Sequence, residues 1–138
     1  MKKIITLILI AVFFSINIHS QEKDAVPFVI ADVPPQFMDL NKENLQQLFN
    51  NKITDFFNKN INKSVAKNLG LTGVQRVFIH FKILVNGSVE VISIRAPHIN
   101  LKNEAIRVVQ KLPKMIPGMY KGEYVDIKYS IPIAFRVK

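Results

Sequence analysis

The chain has 138 residues, 19 Lys and Arg against 10 Asp and Glu for a net charge of +9, 49% hydrophobic residues and no cysteine or tryptophan. That length suits one domain with one core. The lack of cysteine excludes a disulfide scaffold, a thiol nucleophile, a Cys-based zinc site and a lipoprotein anchor. With 21% charged residues the body is not a disordered chain, and its basic balance suits an acidic partner or a membrane surface.

The N-terminus reads as an address. Met1-Lys2-Lys3 is a short positive region, Ile4 to Phe14 is apolar except for Thr6, and a polar stretch runs to Ser20. These are the parts of a secretory signal peptide over 1–20, cleaved after Ser20, with a short membrane anchor as the alternative. The apolar run is shorter than the roughly 20 residues of a spanning helix. Residues 21–40 hold Pro27, Pro34 and Pro35 and no clear period, which predicts an extended arm leading into a domain over 41–138.

Asn41 is placed to cap a helix over about 42–61, with Leu45, Leu48, Phe49, Ile53, Phe56, Phe57 and Ile61 on one stripe. A short turn, Val65 to Leu69, ends at Gly70. From Val74 the period changes to two: Val77, Ile79, Phe81, Ile83 and Val85 face one way, Arg76, Phe78, His80 and Lys82 the other. Asn86-Gly87 predicts a type I′ hairpin turn. The return strand, Val89 to Ile94, changes parity between Val91 and Ile92, which predicts a bulge or burial on both faces. Leu101, Ala105, Val108, Val109 and Leu112 mark a second helix stopped by Pro113, and Pro117-Gly118 and Gly122 predict a loop. In the last strand Val125, Ile127, Tyr129, Ile131, Ile133, Phe135 and Val137 alternate with polar or small residues.

These elements predict an α+β, two-layer sandwich: a three-stranded antiparallel sheet with two helices on one face. Pro132 cannot supply a ladder N–H, which makes the last strand an edge. No catalytic constellation is visible. The carboxylates Asp55, Glu90, Glu104, Glu123 and Asp126 are scattered, and no nucleotide-binding or nucleophile-elbow motif occurs. His80 and His98 have no carboxylate at metal-ligand spacing and read as solvated. The reading is a non-enzyme without metal or cofactor. Arg76, Phe78, His80 and Lys82 mix cationic and aromatic groups as single-strand nucleic-acid binders do. The signal peptide and the missing glycine of the RNP1 pattern argue against that partner.

A set of short motifs resembles the C-terminal domain of TonB, in the form found in Bacteroidetes-type energy transducers. They are Gly73 to Phe81, Asn86 to Val89, Ile92 to Arg95, Glu104 to Val109, Leu112 to Met115, Pro117-Gly118 and Tyr129 to Phe135, preceded by Val26-Pro27-Phe28 and Val33-Pro34. The resemblance covers about Val26 to Lys138. The chain departs from the family pattern at Lys63-Ser64, where a Tyr-Pro pair is usual, and at Met38 to Asn41, where Pro-Gly-Cys-Glu is usual. It also lacks the long proline-rich spacer of a full transducer. Its arm of about twenty residues spans at most about 65 Å when extended.

The resemblance implies energy transduction for transmembrane transport. In the family, an N-terminal segment of an outer-membrane transporter adds as a strand beside the last strand, and an inner-membrane motor of the ExbB/ExbD type supplies force. That predicts a partner-binding edge of Val125, Asp126, Ile127, Lys128, Tyr129, Ser130 and Ile131, in a protein that is periplasmic, secreted or anchored facing the periplasm. The alternative is an adaptor or assembly protein that reuses the fold, with no motor and with dimerisation through the same edge.

Overall fold

The computed structural model describes residues 24–38 and 44–137. The signal-peptide reading of 1–20 and the Asn41 cap fall outside them. Two strands dominate: β2 (Gly73–Ile83) and β6 (Ile127–Val137), antiparallel over their whole length from Gly73 opposite Val137 to Ile83 opposite Ile127. Strand β3 (Val89–Arg95) flanks β2, and a two-residue β1 (Val26–Pro27) flanks β6, giving the order β1-β6-β2-β3. The fold is the α+β sandwich the sequence predicts, with a fourth strand supplied by the arm.

Alternation in β2 and β6 buries Val77, Ile79, Phe81, Ile83, Ile127, Ile131, Ile133 and Phe135 on one face. Helix α1 (Leu45–Asn60) covers it with Phe49, Ile53 and Phe57, spaced at four residues, and α2 (Ile99–Val109) with Leu101, Ala105, Val108 and Val109. The opposite sheet face carries Arg76, His80, Lys82 and Lys128, with no covering layer among the described residues; there the Arg95 guanidinium lies 5.0 Å from the centre of the Phe78 ring. His80 bonds Ser130 Oγ at 2.6 Å. His98 caps α2, its Nδ1 accepting from the Asn100 N–H.

The parity change in the return strand is a bulge: His80 pairs with Ser93 and Phe81 with Val91, leaving Ile92 as the extra residue. The hairpin before it differs from the expectation. Of Asn86 and Gly87 only Gly87 has a positive φ (83°), and the Gly87 N–H closes a turn onto the Leu84 carbonyl. The turn is therefore centred on Val85-Asn86 with Gly87 as a left-handed bulge residue, a three-residue connection in place of a type I′ pair. A tertiary contact selects it, because Met115 N–H donates to the Gly87 carbonyl and a Cβ on Gly87 would meet the Met115 oxygen. Two positive φ values occur instead at Lys121 (51°) and Gly122 (76°), which close a small hairpin of β4 (Met119–Tyr120) and β5 (Glu123–Tyr124) where a loop was expected.

The arm is woven into the core. Phe28 opens a 3-10 turn (Phe28–Ile30), and Phe28, Ala31 and Phe37 are buried. Phe28 packs edge-on against Tyr129 at 5.0 Å and tilted against Phe49 at 5.2 Å. Val33 and Gln36 bridge to Met119 and Ile116, and Asp32 accepts the Lys121 N–H. Buried aromatic area of this kind outweighs the absence of a regular period. The arm therefore has far less reach than its extended length.

Candidate partner-binding edge

One side of β6 is filled by β2, and the other is divided. At its start, Val26 and Pro27 run parallel to Ile127 and Lys128, and the Val26 N–H donates to the Asp126 carbonyl at 2.8 Å. Backbone groups alternate sides along an antiparallel strand. Even-numbered residues of β6 thus direct their N–H and C=O away from β2. Pro132, opposite Phe78, loses its donor only on the outer margin, where β2 does not need it. Among the described residues no strand pairs with that margin beyond Lys128. Its outward groups are those of Ser130, Ala134 and Arg136, with the Pro132 carbonyl.

The seven residues expected to form the site have different fates. Val125 is buried in the turn before β6, its N–H donating to the Gly118 carbonyl. Asp126 is committed twice, by its carbonyl to Val26 and by its Oδ1 to the Val85 N–H at 2.9 Å. Ile127 and Ile131 belong to the core, while Lys128 and Ser130 lie exposed on the open face. The Tyr129 ring is held among Phe28, Phe49 and Phe81, and its hydroxyl donates to Asn50 Oδ1 at 2.6 Å. Burial pushes its pKa up to about 12, so it is neutral at physiological pH.

Beside the open stretch lies a cleft of about 300 Å³ between Pro132–Arg136 and the exposed Thr54 and Asn58 of α1, reaching Lys63. A larger cleft of about 640 Å³ shares Lys63 and Arg136 with it and adds Lys67, Leu71 and Val137. The flank carrying Lys63 is a 3-10 turn (Lys63–Ala66) that is fixed from below. Glu104, buried on α2, accepts the Asn62 N–H at 2.7 Å and the Arg107 Nε–H at 2.9 Å, and Arg107 also donates to the Asn60 carbonyl. The Arg107 guanidinium, with help from the Asn62 N–H, holds the Glu104 carboxyl below its ordinary range against the opposing cost of burial. Glu104 looked like one scattered carboxylate in the sequence. Its role depends on a partner 42 positions away, and the Glu-x-x-Arg spacing on α2 was the only local signal.

Among the described residues no group of His, Cys, Asp and Glu stands together as metal ligands, and no helix is long and apolar enough to cross a membrane. No curated protein and no solved structure matches the chain. The profile of the family described as Gram-negative bacterial TonB protein C-terminal matches residues 64–137, more than half the chain, from the 3-10 turn through β6. With its two long strands, the intervening hairpin and α2 all inside that match, the chain belongs to the TonB C-terminal family, whose part in energy transduction is interaction with TonB-dependent transporters.

Proposed function

We propose that this domain is a periplasmic binding module, not an enzyme, which takes an N-terminal segment of an outer-membrane transporter as an added strand on β6 and passes force through that pairing. The observation carrying the reading is the outer margin of β6 from Ser130 to Arg136, regular, unpaired among the described residues and bordered by a cleft. Of the expected edge, the part from Tyr129 onward suits this role, and the pairing extends past Ile131 to Arg136. Asp126 to Lys128 are already served by the arm.

Each ladder bond contributes about 1 kcal/mol net, and the position of Pro132 supplies no donor. Ordering a flexible segment offsets part of the gain, so a reversible contact of micromolar class follows. The test is calorimetric titration of the protein with synthetic transporter N-terminal segments, wild type against Ala134→Pro. Ala134 is exposed and its N–H points outward, so the substitution removes a partner donor while leaving the pairing with β2 in place. A weakening of about fivefold or more, the worth of one ladder bond, with an unchanged circular dichroism spectrum is expected. Full binding by the proline variant, or no binding of any segment by the wild type, sinks the proposal.

A further inference from the structure

The two clefts beside β6 share Lys63 and Arg136, and Lys67 stands in the larger of them. Neither cleft is lined by an aspartate or glutamate. Lys63, Lys67 and Arg136 are all exposed, and none makes an ion pair among the described residues. The backbone presenting the two lysines is fixed: Glu104 holds the Asn62 N–H, the Asn62 side chain accepts from Ser64 N–H at 3.0 Å, and Asn68 (φ 61°) and Gly70 (φ 74°) turn the chain back toward β2. Three positive charges therefore line one cleft where the open margin of β6 ends, with no aspartate or glutamate among the described residues lining it.

We infer that the Lys63–Lys67–Arg136 cleft is a specificity site for an acidic partner segment, reading carboxylates about 20 Å along the strand from the residue that meets Ser130, at about 3.3 Å per residue. This rests on the strand-addition reading and adds the partner's chemistry to it. Lysines act here as point charges that do not demand one carboxylate geometry. The leucine and valine in the cleft, Leu71 and Val137, give the stem of a glutamate an apolar wall.

The experiment titrates the protein with a transporter N-terminal segment in three forms: a Glu-Glu pair at one end, the pair at the other end, and Gln-Gln in its place. One acidic form should bind about five- to tenfold tighter than the neutral form, as expected for a few exposed ion pairs. The preference should fade as salt rises. In the double variant Lys63→Gln with Lys67→Gln, the ratio of acidic to neutral affinity should fall toward one, and the favoured end reads the polarity of the added strand. Equal affinity for all three forms overturns the specificity site and leaves strand addition standing. An acidic preference that persists in the double variant also overturns it, by assigning the effect to the overall basic charge. No binding by any form removes strand addition and this inference together.

Discussion

The two halves of the outer margin of β6 are built from the same alternating strand and end up with opposite uses. At the first half the chain's own arm supplies a strand, and Phe28 locks it by packing on Tyr129 and Phe49. At the second half no strand pairs among the described residues, and a cleft opens beside the backbone. The sheet's other margin, β3, is interrupted by the Ile92 bulge, which discourages pairing with a visitor. Exposed margins are thus guarded in two ways in one molecule, by self-pairing and by a bulge, while Pro132 leaves the pairing with β2 intact. Among the described residues, the stretch from Ser130 to Arg136 is left both regular and accessible.

Removing the lock should break the comparison most severely. Phe28→Ala deletes a buried ring and should cost about 3 kcal/mol in denaturant unfolding, since the cavity sits between two other aromatic rings. It should also raise hydrogen exchange at the Lys128 amide. An unchanged midpoint would mean that the arm is an appendage and that the first half of the margin is as open as the second.

Glu104→Gln sharpens the second half, because Glu104 positions the turn that carries Lys63. Loss of the charge-assisted bonds to Arg107 should cost about 2 kcal/mol. The folded carboxyl titrates below its ordinary value near 4.5. Its stabilisation is therefore complete above that value and is lost as pH falls through the lower, folded value. Unfolding free energy measured from pH 7 to pH 3 should fall more steeply for the wild type than for the variant; parallel curves would deny Glu104 that role.

Tyr129→Phe probes the border between the halves with the smallest effect, about 1 kcal/mol for the hydroxyl bond to Asn50. Here the sign reverses. Tyr129 ionises at about 12 in the folded protein against 10 unfolded, so the unfolded state releases its proton first and stability falls as pH rises between the two. The Phe variant should lose less stability over that range, and equal alkaline losses would show that the ring is not buried in solution.

The resemblance stated from the ordered motifs and the family match agree. The edge was less legible in the sequence. Pro132 points to an outer strand, yet the arm already occupies the margin at Asp126 to Lys128, and the arm's prolines hide its aromatic anchors in the sequence. Phe28 and Phe37 are nine positions apart with no period between them, so no repeat marks them as core. The Asn86-Gly87 turn failed for a similar reason, since Met115, far along the chain, chose among the turns the dipeptide allows.

What the sequence determined by itself was everything local and periodic: the strand alternation, the helix stripes, the bulge at Ile92 and the proline placed to keep its missing donor off β2. These follow from each residue's own geometry and the burial of every second or fourth side chain. Tertiary structure alone decided which half of β6 stays unpaired, that Glu104 braces a turn on another element, and that Lys63, Lys67 and Arg136 meet in one cleft. Those outcomes depend on backbone partners and charges brought together across tens of residues, and the folded packing fixes them through distances that local pattern does not encode.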